Sequence, residues 1–232
     1  MVFPVYLAMT AAELSATTPP EQLCYMACHF SAYGAGLSNL PTSLPKGSLL
    51  SLNDRMSPSF HDPGLVSRQL AQLAEEVEAS AILLDFQRPF DTKTAQIAAL
   101  LLKEQTRPVV VSDLYARDLD CDVFLSAPPL HTPLERALES WQGRRIWLEL
   151  ATEPEGILLT MKGCEAFFPA DVTDDGFFEE KLCIHYRMQP EQDAVRFTLW
   201  RTREDWQLYL QKAQQLGIHR AVGLYQQLYP LL

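Results

Sequence analysis

The sequence predicts an α/β protein, specifically a (β/α)8 TIM-like barrel with a small antiparallel β insertion before its last helix and strand. Three observations support this prediction. Eight apolar runs of strand length are spread along the 232 residues, segments of helical periodicity separate several of them, and the alternation is interrupted only once, late in the chain. Several runs are apolar at every position, as expected for parallel strands buried on both faces.

The predicted strands are apolar segments of strand length. In chain order they cover residues 4–9, 23–30, 48–53, 81–86, 108–112, 122–127, 145–150 and 220–225. Residues 156–200 contain three further runs, GILLTMKG, KLCIHYRM and VRFTLW, which lack a helical period and predict the antiparallel insertion. A doubly wound open sheet is the alternative arrangement of the same elements.

Several predicted helices have an N-terminal signal in the sequence. The expected starts are Asp62, as an N-cap whose side-chain oxygen accepts from free backbone N–H groups, together with Asp91, Thr132 and Thr202. Thr132 is followed three residues later by Glu135, which is the spacing of a capping box. These helices supply the connections that parallel strands require.

The composition is that of a globular chain with a large core, because 47% of the residues are hydrophobic and 21% are charged. No low-complexity linker divides the sequence. α/β barrels of roughly 200 to 250 residues form one domain. We therefore expect residues 1–232 to form a single barrel domain that includes the insertion at 156–200.

The charge of the chain argues against a nucleic-acid partner. Lys and Arg number 19 against 29 Asp and Glu, which gives a formal charge of -10, and the strongest basic cluster is only GRRIW. Proteins that bind phosphate backbones draw much of their affinity from clustered Lys and Arg. An acidic surface instead favours neutral or cationic ligands.

The N-terminal segment MVFPVYLAM lacks the features of a signal peptide, because no Lys or Arg precedes Lys46, and it is too short to span a membrane. The five cysteines are odd in number and scattered, which is typical of free thiols in a reducing compartment. We expect a cytoplasmic protein with no membrane partner. The sequence leaves the oligomeric state open.

No cofactor or metal site is expected. Cys24, Cys28 and His29 lie close together, but on a regular strand the two cysteines share one face and His29 occupies the other. No second Cys/His pair follows at zinc spacing. The segment YGAGLSNLP has only the first two glycines of a dinucleotide-binding fingerprint, so we interpret it as a loop at the barrel mouth.

Four acidic residues lie at or just beyond the ends of predicted strands: Asp54, Asp85, Asp113 and Glu149. In a (β/α)8 barrel these strand ends share one face, which is where barrel enzymes have their chemistry. Neighbouring carboxylates can include one with a raised pKa that acts as an acid and one that stays ionised as a base or nucleophile. Helix capping and ion pairing are the structural alternatives for the same four residues.

Further polar and aromatic side chains near strand ends are candidate ligand contacts. Sugars stack on flat aromatic faces, and amides hydrogen-bond to hydroxyl groups. The candidates are Asn53, Gln87, Gln226, Tyr33, Tyr115 and Tyr225.

Two segments resemble motifs of the chitinase-like glycoside hydrolases. In that family the third barrel strand ends in Ser-x-Gly-Gly and the fourth in Asp-x-x-Asp-x-Asp-x-Glu, with the final Glu as the catalytic acid. Here SLND (51–54) and SAILLDFQ (80–87) end the third and fourth predicted strands, and Ser51 and Asp85 match. The insertion at 156–200 is similar in position to the family's insertion before the last strand.

The departures from these motifs have a direct chemical consequence. Asn53 and Asp54 replace the two glycines, and Gln87 replaces the acid. A carboxylic acid can protonate a leaving glycosidic oxygen, whereas a carboxamide cannot. The resemblance therefore implies a barrel that binds a glycan or another polar small molecule without cutting it, as the family's lectin-like members do. The alternatives are a hydrolase that uses the other strand-end acids, and a structural or interaction protein.

Overall fold

The computed structural model describes residues 3–56, 61–169, 172 and 175–231. Within them the strands are β1 (Val5–Met9), β2 (Leu23–Phe30), β3 (Leu37–Ser38), β4 (Leu49–Asn53), β5 (Ala81–Asp85), β6 (Val109–Ser112), β7 (Asp122–Leu125), β8 (Ile146–Leu150), β9 (Glu155–Thr160), β10 (Gly163–Phe167), β11 (Phe177–Glu179), β12 (Ile184–Pro190), β13 (Ala194–Trp200) and β14 (Arg220–Leu224). The α-helices are α1 (Ala11–Ala16), α2 (Pro63–Glu76), α3 (Thr92–Glu104), α4 (Asp113–Ala116), α5 (Leu134–Leu138), α6 (Arg203–Gln215) and α7 (Tyr225–Leu228). Over these ranges, no helix has the length and hydropathy needed to cross a bilayer.

Eight parallel strands form a closed barrel in the described part of the chain. Its order is β1-β2-β4-β5-β6-β7-β8-β14, and β1 closes the ring by pairing with both β14 and β2. All eight predicted strands are therefore confirmed, and the open doubly wound sheet is wrong because an open sheet would leave two strands unpaired on one side. β3 is a two-residue antiparallel addition to β2.

The apolar side chains form two layers on either side of the barrel wall. Alternate strand residues meet in the barrel interior, where the cluster comprises Tyr6, Ala8, Cys24, Leu49, Ala81, Leu83, Val110, Phe124, Trp147 and Val222. The intervening strand residues pack outward against the helices, in a cluster that includes Leu84, Leu70 of α2 and Ile97 of α3. The interior is thus filled by side chains below the strand ends, and it leaves room for a site only at the mouth.

The prediction that Cys24 and Cys28 share one face of their strand is wrong. The register between β2 and β4 shifts between Tyr25 and Cys28, which inserts one extra residue in β2. A bulge of this kind changes the face on which the following residues lie. Cys24 consequently packs in the barrel interior, whereas Cys28 packs in the outer layer.

Three of the four predicted helix starts are confirmed by hydrogen bonds. The side chains of Asp62, Asp91 and Thr202 each accept from a backbone N–H of the helix that follows. The predicted start at Thr132 is wrong, because α5 begins only at Leu134 and has no side-chain cap. Thr132 belongs instead to the preceding turn, in which its N–H donates to the carbonyl of Pro129 over 2.8 Å.

The insertion is an antiparallel sheet with the strand order β10-β9-β13-β12-β11. The sequence predicted three of these strands and missed β10 and β11, whose residues are mostly exposed and carry no alternating apolar pattern. The Arg201 guanidinium joins the insertion to α6. It lies 3.8 Å from the centre of the Tyr209 ring and donates to the carbonyl of Cys183 over 3.1 Å.

Gly223 lies where β14 approaches β8 and α7 closely. A Cβ atom at this position would lie 2.8 Å from the Leu150 carbonyl oxygen and would also collide with the Leu228 side chain. We expect Gly223→Ala to lower the free energy of unfolding by about 2 kcal/mol, because overpacking against backbone atoms cannot be relieved by a side-chain rotation. Chemical denaturation measures this loss.

Gly34→Ala is the matched control, because a Cβ atom there would meet only the Ser31 hydroxyl at 3.6 Å. This variant should unfold like the wild type. Equal stability of the two variants would contradict the close approach at Gly223.

Candidate functional site

A pocket opens at the face where the carboxyl ends of the barrel strands meet. Its volume is about 220 Å³, and its walls come from the ends of seven barrel strands and from α7. The floor is formed by interior side chains such as Leu83 and Phe124, and the rim is formed by polar residues beyond the strand ends. This is the face on which (β/α)8 proteins have their active sites.

Gln87, Asp85 and Glu149 converge at the centre of the pocket. The Gln87 side-chain nitrogen donates to Asp85 Oδ1 over 3.0 Å and makes a longer contact of 3.5 Å with Glu149 Oε1. A primary amide has two N–H groups, so one nitrogen can serve both carboxylates. The amide therefore lies between two acids that reach it from β5 and β8.

Asp54 fixes the loop that carries Gln87. Its two carboxylate oxygens accept from the backbone N–H groups of Gln87 and Arg88, each over 3.0 Å, and the residue is buried. Both oxygens are thereby occupied by backbone donors, and Asp54 is not among the residues that line the pocket. Its position makes it a support for the loop, through backbone contacts and not through the helix capping or ion pairing named as structural alternatives.

Asp113 also makes local contacts. It lies at the start of α4, where its Oδ1 accepts from the Leu114 N–H over 2.8 Å and from the Ser126 hydroxyl over 3.0 Å. These bonds join the ends of β6 and β7 at the barrel mouth. Asp113 does not line the pocket, but its charge acts on the neighbouring Glu149.

The two pocket carboxyl groups both have raised pKa values. Burial is the main cause at Asp85 and raises its pKa from the ordinary 3.8 to about 6, with a further contribution from the charge of Glu149. Burial also raises the pKa of Glu149, although the Ala127 N–H, which donates to its Oε2 over 3.1 Å, opposes the shift. A carboxyl group with a pKa of about 6, such as Asp85, can exchange protons under physiological conditions.

Asn53 supports the barrel wall. Its side-chain nitrogen donates to the carbonyls of Met26 over 2.8 Å and Cys28 over 3.1 Å. These carbonyls belong to the bulge of β2, where the regular strand pairing is interrupted. Asn53 thus satisfies backbone acceptors that the bulge would otherwise leave without partners, and it is buried beside the pocket.

The structure does not bring the three candidate tyrosines into the pocket. Tyr33 is fully exposed in the loop after β2, and Tyr115 is buried with its hydroxyl between the Asp91 N–H and the Pro89 carbonyl. Tyr225 lies against Tyr229, with ring centres 5.0 Å apart.

Other pocket residues were missed by the sequence analysis. They are Arg55, Glu153 and Gln227, which lie in the connections just beyond β4 and β8 and in α7. Gln227, and not the candidate Gln226, therefore lines the pocket. The Gln227 amide donates to a carboxylate oxygen of Glu153. Position just after a strand end was the available signal, but strand ends alone do not specify which residue of a following helical turn faces inward.

The side chains of the pocket are suited to proton exchange and to hydrogen bonding with a polar ligand. Asp85 and Glu149 can accept or donate protons, the Gln87 amide can hydrogen-bond, and Arg55 supplies a positive charge at the rim. In the described ranges no group of three or more His, Cys, Asp or Glu residues is arranged to hold a metal ion.

Comparison with solved structures finds this fold in chitinase-like glycoside hydrolases. A glycoside hydrolase family 18 N-acetylglucosaminidase from Paenibacillus barengoltzii matches with a TM-score of 0.61 at 10% identity, over 100% of each chain. A mutant family 18 chitinase from Cycas revoluta, solved in complex with (GlcNAc)4, has a TM-score of 0.57 at 13% identity, over 95% of this chain and 94% of that one. A chitinase-like agglutinin from Robinia pseudoacacia has a TM-score of 0.54 at 11% identity, over 94% and 93%. No protein-family model and no curated protein sequence matches this chain.

The raised pKa of Asp85 has a consequence for stability. Between about pH 4 and pH 6 the carboxyl group is protonated in the folded state and ionised in the unfolded state, so stability falls as the pH rises. Above about pH 6 the carboxyl group is ionised in both states, and the free-energy cost of burying its charge in the folded state stays constant. We expect Asp85→Asn to remove this cost, about 3 kcal/mol at most, and to be more stable than the wild type at pH 8 but not at pH 4.

Urea denaturation between pH 4 and pH 8 measures the difference. The exposed Glu104, at the end of α3 on the opposite side of the barrel, provides the control Glu104→Gln for the change in net charge. A less stable Asp85→Asn variant at pH 8 would mean that the ionised carboxylate stabilises the fold.

Proposed function

We propose that this protein binds a glycan at the mouth of its barrel without cleaving it efficiently. The barrel has the fold of the chitinase-like glycoside hydrolases. The observation that carries the proposal is Gln87. Its carboxamide occupies the place where the resemblance puts a catalytic acid, and it is held there by Asp85 through a 3.0 Å hydrogen bond.

The chemistry of Gln87 supports binding over cleavage. A carboxamide can donate to a sugar oxygen, but it has no proton that it can release to a leaving group. Asp54 holds the backbone of Gln87, so the amide is presented to the pocket in a defined position. A preorganised donor of this kind gives affinity and orientation, because little freedom is lost when the ligand binds.

The size and lining of the pocket suit one polar ring. At about 220 Å³ it is smaller than the roughly 300–1,000 Å³ typical of sites for drug-sized ligands. An apolar floor at Leu83 and Phe124 lies beneath the polar rim, as a ring with one apolar face requires. The ligand would therefore place one ring in the pocket and leave the rest of a longer chain outside.

Two of the similar structures bear on this proposal. One is described as an agglutinin, and the other is a chitinase with a glutamate-to-glutamine and a glycine-to-tryptophan substitution in complex with (GlcNAc)4. Both have this fold, and the second was solved with a bound oligosaccharide. They support saccharide binding as the property to test first.

Gln87→Glu tests the proposal directly. We expect the wild type to bind saccharides and leave them uncut, and the variant to gain cleavage by about 10²-fold over the wild type, which is the lower range for a positioned general acid. Isothermal titration calorimetry measures binding. Mass spectrometry of products from chitin, peptidoglycan and plant oligosaccharides measures cleavage.

Glu104→Gln, far from the pocket, should behave as the wild type in both measurements. Efficient cleavage by the wild type would contradict the proposal. If neither protein binds any saccharide, glycan binding is wrong, and an interaction protein with a purely structural barrel mouth is the remaining interpretation.

A second function, hydrolysis by other carboxylates, is favoured by one specific observation. Asp85 and Glu149 meet at the same amide, and burial raises the pKa of Asp85 to about 6, so one of the pair can carry a proton while the other is ionised. Paired carboxyl groups in different protonation states are the usual means of glycoside hydrolysis.

The hydrolase alternative makes its own prediction. If the wild type turns over a saccharide, Asp85→Asn and Glu149→Gln should each lower kcat by about 10²-fold or more, since each removes an acid or base from the reaction. Thermal unfolding shows whether the variants are folded, and steady-state kinetics measures kcat. Turnover that survives both substitutions would exclude these two carboxylates as the catalytic pair.

We also infer that the protein works in a reducing compartment, the cytoplasm. All five cysteines are free thiols, and Cys24 and Cys28 lie on opposite sides of the barrel wall, where they cannot pair. Proteins of oxidising compartments more often join their cysteines in disulfides.

A further inference from the structure

We propose that the ligand of the barrel-mouth pocket is cationic, and that it is an amino sugar with a free ammonium group. This inference rests on the proposed glycan binding and deepens it by choosing among saccharides. It comes from the balance of charge around the cavity.

Acidic groups outnumber basic ones on the pocket wall. Three acidic residues line it, Asp85, Glu149 and Glu153, and one basic residue, Arg55. A neutral sugar would leave this excess of negative charge uncompensated. A ligand with one positive charge would reduce it, and the formal charge of -10 on the whole chain would attract the same ligand from a distance.

The two central carboxylates form no direct ion pair in the described part of the chain, and the one cation that acts on both is Arg55 at the rim. None of the ion pairs found there includes Asp85 or Glu149. Their contacts are the neutral Gln87 amide, which both share, and the Ala127 N–H on Glu149. Partly buried carboxylates with only neutral donors retain a desolvation cost that a bound cation can offset.

The geometry of the amide adds to this preference. Gln87 donates to Asp85 and approaches Glu149, which brings these two carboxylates together on the wall of one pocket. An ammonium group has three N–H donors and no acceptor, which matches a cavity wall rich in acceptor oxygens. An acetamido group at the same position is uncharged, bulkier, and brings a further acceptor oxygen toward the carboxylates.

The small cavity favours the same choice. With about 220 Å³ available, an unsubstituted amine on a sugar ring needs less space than an N-acetylated one. Arg55 is exposed at the rim, and it is the only cationic side chain among the lining residues. It would repel a cationic ligand, and removing its charge should strengthen binding.

The pH dependence follows from the groups that face the ligand. These are Asp85, Glu149, Glu153 and Arg55 on the wall, with Asp54 and Asp113 behind it. Because burial raises the pKa of Asp85 to about 6, this carboxylate becomes protonated as the pH falls through that value. Affinity for a cation should therefore decrease between about pH 7 and pH 5.

Calorimetric titration with two matched probes tests the inference. The probes are the fully deacetylated tetramer of glucosamine and the fully N-acetylated tetramer of the same length, at about pH 7 and low salt. We expect the wild type to bind the deacetylated tetramer at least about 10-fold more tightly, a difference of about 1.4 kcal/mol. Glu149→Gln should lose this preference, and Arg55→Gln should increase it.

Glu104→Gln separates the pocket from general attraction to an acidic protein. It removes the same charge as Glu149→Gln at the opposite end of the barrel and should leave the preference unchanged. A preference that survives Glu149→Gln, or that Glu104→Gln reduces equally, would mean non-specific attraction and would overturn the inference. Arg55→Gln keeps the test valid if Glu149→Gln fails to fold, because Arg55 is exposed.

The outcomes also separate the inference from the function on which it rests. If the N-acetylated tetramer binds as tightly as the deacetylated one or more tightly, the cationic preference is wrong and glycan binding stands. If neither tetramer nor any other saccharide of the panel binds, both the glycan-binding proposal and this inference are wrong.

Discussion

Closure of the barrel through β1 is the constraint on which the rest of the structure depends. β1 pairs with β14 on one side and β2 on the other, so the eight strands run parallel around one axis and all their carboxyl ends reach the same face. This arrangement brings Asp85 from β5 and Glu149 from β8 to one amide, although 62 positions separate Gln87 from Glu149 in sequence. The packed interior below them confines any ligand to the mouth.

The site combines one well-fixed neutral group with two incompletely satisfied acids. Asp54 gives both of its oxygens to the backbone N–H groups of Gln87 and Arg88, which determines where the Gln87 amide lies. Asp85 and Glu149 have fewer donors and raised pKa values because burial disfavours their charged forms. The contrast shows how carboxylates at equivalent strand ends acquire different roles from their local donors, since desolvation and hydrogen bonding act in opposite directions on an ionised group.

Much of the fold could be predicted from the sequence, because the barrel strands are continuous apolar runs and α2, α3 and α6 have strong N-caps. The failures have physical causes. The short exposed strands β10 and β11 depend on pairing with neighbours and carry no pattern of their own. The cap expected at Thr132 was lost to a competing turn, and the faces of Cys24 and Cys28 were reversed by a bulge that only pairing with β4 reveals.

The succession of strands and helices along the chain and the acids at the strand ends could be predicted from the sequence, because they depend on local composition and spacing. The exchange of a carboxylic acid for the Gln87 amide followed from the resemblance to the family motif. Which of those acids lie close together became clear only from the tertiary structure. It assigned Asp54 and Asp113 to backbone and loop contacts, left Tyr115 in the core, and added Arg55, Glu153 and Gln227 to the pocket. Such roles depend on distances between residues far apart in the chain and on burial, which raises or lowers a pKa only after the strands have closed.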